Sequence, residues 1–298
     1  MPSSRLRTSV LAVTVAVVAV GTATAAWAED NREASASRPY LALGDSVVFG
    51  FITQAGFEYG NPDNFVGYPD YVARMLRLAT TNASCPGEAT SGFLSSTGAD
   101  IGCRDFRQLA PLHVAYGSTQ LLFAEGFLGA HSNTRLVTIG LGANDLFLLQ
   151  KTCANNPNPQ QCIGAGLPDV LATIAGNMET ILFALRATGF RGVLMIVNYY
   201  ALDYSDVSAT SVTQLLNQAI TAFAQANGAV VADVFTAFRA AASTAFAGGQ
   251  ICSAGLLNAS PQNPFMCDVH PSQSGQKLIG QTVADTFRAV LAAMGEDN

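Results

Sequence analysis

The chain has 298 residues, 49% of them apolar and 12% charged, with a net charge of −6. That composition belongs to a globular protein with a sizeable core, and it excludes a disordered, collagen-like or coiled-coil chain. Its 15 basic residues form no cluster beyond the first few positions, which argues against nucleic acid or an anionic membrane surface as a partner.

At the start of the chain, Arg5 and Arg7 precede an uncharged apolar run over 10–20, followed by Ala26-Trp27-Ala28. A basic start, a short apolar middle and small residues ahead of a cleavage point describe a secretory signal peptide over 1–28. The run is shorter than the roughly 20 residues of a spanning helix. Cleavage after Ala28 leaves 270 residues with 13 basic and 21 acidic side chains, a net charge of −8, and no tryptophan. The expected location is extracellular, with no integral membrane segment in the mature chain. Residues 29–38 read as a polar spacer and 39–298 as one domain.

After the spacer, 40–43 is a compact apolar run that predicts a buried strand. Helical spacing follows over 68–76, then a threonine-rich strand over 78–83 and a helix over 120–128. A strand at 136–139, a helix at 168–187, a strand at 193–197, a helix at 211–226 and a strand at 229–231 continue the alternation, and a last helix spans 272–294. Alternating strands and helices favour parallel crossover connections, so the expected fold is a three-layer α/β/α domain. Ligands of such sheets gather beyond the carboxyl ends of the strands.

All six cysteines, Cys85, Cys103, Cys153, Cys162, Cys252 and Cys267, lie in the mature part. An even count in an exported chain reads as disulfides. Sequential pairing is expected, because each successive pair brackets a loop rich in glycine or proline. The three histidines are scattered and no close Cys-x-x-Cys pair occurs, so neither metal nor cofactor is implied.

Three strand ends carry polar chemistry. Gly44-Asp45-Ser46 follows the first strand, where Ser46 can act as a nucleophile while its own backbone N–H faces a developing oxyanion. Gly142-Ala143-Asn144-Asp145 follows the 136–139 strand, where the Asn144 amide can point at a carbonyl oxygen. Asp268-Val269-His270-Pro271 precedes the last helix and offers His270 as a general base. Gly87, after the second strand, adds a backbone N–H. Each motif taken singly also reads as a turn or a helix cap. His113 and His131 have no carboxylate within three positions and read as a loop residue and a helix-end residue. Gly140-Leu141-Gly142 lacks the third glycine of a dinucleotide loop, and no Gly-x-Ser-x-Gly occurs.

Together and in this order, Gly44-Asp45-Ser46, Gly87, Gly142-x-Asn144-Asp145 and His270 resemble the four blocks of the SGNH, or GDSL, hydrolases. The stretches 40–51 and 64–69 are also similar to secreted bacterial esterases of that family. The resemblance implies a flavodoxin-like sheet of five parallel strands and a serine esterase or lipase acting on a small-molecule or lipid ester. It implies a Ser46 nucleophile and an oxyanion hole formed by Ser46 N–H, Gly87 N–H and the Asn144 side chain. The family's last block is Asp-x-x-His, whereas here Cys267 stands three before His270 and Asp268 two before it. Either the Asp268 carboxylate or the Cys267 carbonyl is then the group that orients His270. Two alternatives keep the same residues: an acyltransferase in which an alcohol replaces water, and a non-catalytic lipid- or carbohydrate-binding module. Val47, Val48, Phe49, Phe51, Phe147, Leu148 and Leu149 flank the blocks as acyl-pocket or core residues.

Overall fold

A computed structural model of the chain describes residues 38–53, 56–263 and 266–295; the expected signal peptide over 1–28 lies outside them. Five strands form one parallel sheet: β1 (Pro39–Gly44), β2 (Ala79–Asn82), β3 (Leu136–Gly140), β4 (Val193–Val197) and β5 (Val230–Ala232), in the order β2-β1-β3-β4-β5. The pleat sends alternate side chains to opposite faces. Leu41, Leu43, Val137, Ile139, Leu194 and Ile196 therefore share one apolar core, whereas Tyr40, Ala42, Leu136, Met195 and Val197 share another. Because both faces are covered, β1, β3 and β4 read in the sequence as largely apolar runs, whereas the edge strand β2 is rich in threonine and partly exposed.

Three helices close each face. On the first lie α5 (Gln120–Ala130), α7 (Pro159–Ala187) and α8 (Val207–Ala226), contributing Ala124, Met178, Ile181 and Ile220 to the core. On the second lie α2 (Tyr68–Leu76), α9 (Val234–Ala242) and α10 (Gln273–Met294), contributing Val72, Phe238, Ile279 and Val283. Shorter helices form α1 (Ser46–Phe49), α3 (Thr90–Leu94), α4 (Cys103–Leu109) and α6 (Ala143–Cys153). By length and composition α7 is one helix among the described residues that could cross a membrane, yet Ile174, Met178, Ile181, Leu182 and Leu185 along it are buried against the sheet.

Two expectations need correction. The helix expected from Pro168 begins at Pro159 and carries Pro168 inside it. The Cys153–Cys162 disulfide ties its first turn to the end of α6, which holds the extension in place. In addition, a two-stranded antiparallel hairpin, β6 (Leu257–Ala259) with β7 (Cys267–Pro271), precedes α10 and had no counterpart among the expected strands. The other two disulfides join Cys85 to Cys103 and Cys252 to Cys267.

Candidate active site

The parallel register aligns Gly44 with Gly140, so the chain leaves β1 and β3 side by side at one edge of the sheet. Gly44 has φ +141, and a Cβ there would sit 2.2 Å from the Gly140 carbonyl oxygen, so only glycine allows the turn. Asp45 follows as the N-cap of α1, its Oδ1 accepting from Val47 N–H at 2.9 Å and its Oδ2 accepting from the Tyr199 hydroxyl at 2.7 Å. Burial pushes this carboxyl up to about 6, against the lowering effect of both hydrogen bonds. Ser46 is thereby fixed as the first residue of α1, half-buried at the sheet edge.

The Ser46 Oγ lies 3.0 Å from His270 Nε2. His270 Nδ1 faces Asp268 Oδ1 at 3.2 Å, and the same oxygen accepts the His270 backbone N–H at 2.5 Å. Both residues belong to β7, where side chains two apart share a face. The spacing that is awkward for a turn is thus the natural one for a strand, and the Asp268 carboxylate is the group that meets Nδ1. Thr53, in the loop after α1, donates its hydroxyl to Asp268 Oδ2, and the Thr53 Oγ1 also lies 3.3 Å from His270 Nδ1. Burial pushes the Asp268 carboxyl up, but the hydrogen bonds from His270 and Thr53 outweigh it and hold the group below its ordinary value. Phe51 presents its ring edge-on to His270 at 5.0 Å and joins Tyr59, Phe65 and Phe106 in an aromatic wall beside the imidazole.

The loop after β2 is drawn to the same edge by Cys85 N–H donating to the Gly44 carbonyl at 3.0 Å. Gly87 in this loop has φ +83, and a Cβ would meet Gly102 N at 2.8 Å. Asn144, in the first turn of α6, spends one amide hydrogen on the Glu88 carbonyl at 2.7 Å; the Nδ2 group carries a second. Asp145 beside it accepts from Thr90 N–H at 3.1 Å and from the Thr90 hydroxyl at 2.6 Å, which anchors α6 to α3. The Cys85–Cys103 bridge brackets Gly87, and the Cys252–Cys267 bridge ends at the first residue of β7.

Ser46, His270, Asp268, Gly87 and Asn144 thus belong to elements that meet at one sheet edge. Val48 and Phe49 are fully buried and belong to the core, whereas Phe51 is half-buried beside His270. His113 donates to the Phe49 carbonyl at 2.9 Å and His131 caps α5, both apart from the serine. Among the described residues no group of three or more His, Cys, Asp or Glu is placed to hold a metal ion. Motif spacing gave no sign of Thr53, Gln120 or Tyr199, which reach the site from far along the chain.

The profile of the GDSL-like lipase/acylhydrolase family matches residues 42–278. Among solved structures the fold is similar to phospholipase A1 from Streptomyces albidoflavus NA297, at 22% identity and a TM-score of 0.50 over 83% of this chain and 98% of that one. It is similar also to an extracellular lipase from Streptomyces rimosus, at 19% identity and a TM-score of 0.51, covering 83% and 98%. A lipase from a goat rumen metagenome matches at 15% identity and a TM-score of 0.53, covering 83% and 96%. No curated protein matches the sequence.

Proposed function

The chain belongs to the GDSL-like lipase/acylhydrolase family and is a carboxylic ester hydrolase, and from that premise we propose that it is an exported serine esterase working through an acyl-enzyme on Ser46. The observation that carries the reading is the 3.0 Å separation of Ser46 Oγ from His270 Nε2, with Asp268 on the far side of the ring. A hydroxyl within hydrogen-bond reach of an imidazole that a carboxylate orients is the arrangement of an activated nucleophile.

In the first half-reaction Ser46 Oγ attacks the ester carbonyl carbon and His270 Nε2 takes its proton. The carbonyl oxygen becomes an oxyanion, held by Ser46 N–H, Gly87 N–H and the free hydrogen of Asn144 Nδ2. Collapse breaks the bond to the alcohol oxygen, which leaves with the proton from His270. In the second half-reaction His270 takes a proton from water, the hydroxide attacks the acyl-enzyme, and the carboxylic acid leaves as Ser46 recovers its proton. Asp268 stays ionised throughout and stabilises the imidazolium, which its lowered pKa suits it to do.

The aromatic wall beside His270 and the net negative charge favour a neutral, apolar ester over a polyanion. Three disulfides suit an oxidising compartment and support export with removal of 1–28, giving a mature chain that begins at Glu29. Hydrolysis of p-nitrophenyl esters from acetate to palmitate by wild type and Ser46→Ala tests the reading. Activity in wild type alone is expected; equal rates in both proteins would overturn it.

A further inference from the structure

Gln120 is fully buried at the start of α5, and its side chain pairs with Gly44 as a neighbouring strand would. Its Oε1 accepts Gly44 N–H at 2.8 Å, and its Nε2 donates to the Gly44 carbonyl at 2.9 Å. The second Nε2 hydrogen goes to Glu88 Oε2 at 3.2 Å. Glu88 is itself 3% exposed and directly follows Gly87. Its backbone carbonyl is the acceptor of the Asn144 amide, and its N–H donates to Cys85 O at 3.1 Å. One amide side chain therefore ties the turn before Ser46 to the loop that bears Gly87 and braces Asn144.

We propose that Gln120 and Glu88 form a buried strut that sets the spacing between the nucleophile turn and the oxyanion donors, and that both are positioning residues for ester hydrolysis. The inference rests on the roles given above to Ser46, Gly87 and Asn144. Gln120 uses three of its four hydrogen-bonding positions inside the protein, so the strut has little freedom to shift without leaving buried polar groups unpaired. A small displacement of an oxyanion donor lowers the rate without weakening substrate binding to the same extent.

The strut also has a charge state. Burial pushes the Glu88 carboxyl up to about 8, the Gln120 hydrogen bond working against that shift, Asp100 adding to it and Arg107 opposing it. Tyr116 also faces this carboxyl; burial raises its hydroxyl, Glu88 adds to that and Arg107 opposes it. The shift of Glu88 favours the uncharged acid at neutral pH. When it ionises, a negative charge appears behind donors that must stabilise a negative oxygen in the transition state, so turnover falls.

The test is the pH dependence of kcat/KM between pH 6 and 10 for p-nitrophenyl butyrate, with the Ser46→Ala rate subtracted, for wild type, Glu88→Gln and Gln120→Met, each with a thermal melt. Wild type is expected to lose activity as pH rises through about 8, and Glu88→Gln, which keeps shape and acceptor but not the titration, to lack that limb. Gln120→Met is expected to lower kcat roughly tenfold to a hundredfold at pH 7 while KM moves less than about twofold. An unchanged alkaline limb in folded Glu88→Gln, or a wild-type kcat in folded Gln120→Met, overturns the strut. If Gln120→Met does not fold, the Glu88→Gln profile alone decides. A wild type no faster than Ser46→Ala instead overturns the esterase reading on which the strut depends.

Discussion

At the nucleophile turn Asp45 is buried to 1% exposure and its carboxyl is raised from 3.8 to about 6. A raised carboxylate binds more protons in the folded than in the unfolded state, so its contribution to stability is greatest below 3.8 and falls as pH rises to about 6. Asparagine caps a helix as well as aspartate does and carries no charge. The melting temperature of Asp45→Asn, measured against wild type, should therefore rise between pH 4 and about 6; a difference independent of pH would contradict the account. Asn144→Ala removes one proposed oxyanion donor and should lower kcat by about 10² to 10³ with the fold intact. A near wild-type kcat would remove Asn144 from that role. Ser46, Gly87 and Asn144 stand a few positions past a strand end, where local sequence can signal them, whereas Asp268 and His270 lie within β7 itself. Thr53 meets Asp268 across 215 residues, Tyr199 meets Asp45 across 154 and Gln120 meets Gly44 across 76. No local pattern encodes such contacts.

Among the elements, the apolar runs that became β1, β3 and β4 were legible because burial on both faces leaves no polar alternation to confuse them, and the shorter, half-buried β5 was legible as an apolar run as well. α1, α3 and α4 were not, since each is too short for a 3.6-residue stripe to stand out; α6 and α9 also went unread, although α9 is as long as α2. β7 escaped because Cys-Asp-Val-His-Pro holds a single strong strand former, Val269, and no apolar run. It is held instead by its pairing with β6 and by the Cys252–Cys267 bridge. That bridge closes a 15-residue separation, for which chain entropy suggests about 3 kcal/mol. Replacing both cysteines by serine should lower unfolding stability by about that amount and reduce kcat as well, because β7 carries both Asp268 and His270. Denaturant unfolding and initial rates on the same preparation check this. A loss of stability with kcat unchanged would show that the hairpin keeps its geometry without the bridge.

Across the molecule, three layers place the ends of β1, β2 and β3 at one edge and bring β7 over them from near the C-terminus. The proposed nucleophile, oxyanion donors and base thus come from four separate parts of the chain, held by the two apolar cores on the opposite faces of the sheet. The alternation of strands and helices made this layering legible, and the order of the blocks marked the edge where the proposed site lies. The claim on which the whole account turns is that Ser46 is the nucleophile. It is tested most directly by treating the active enzyme with a p-nitrophenyl phosphonate and locating the adduct by peptide mass spectrometry while residual activity is followed. The account predicts one adduct per chain, on Ser46, in proportion to the activity lost. Full inactivation with Ser46 unmodified would contradict it.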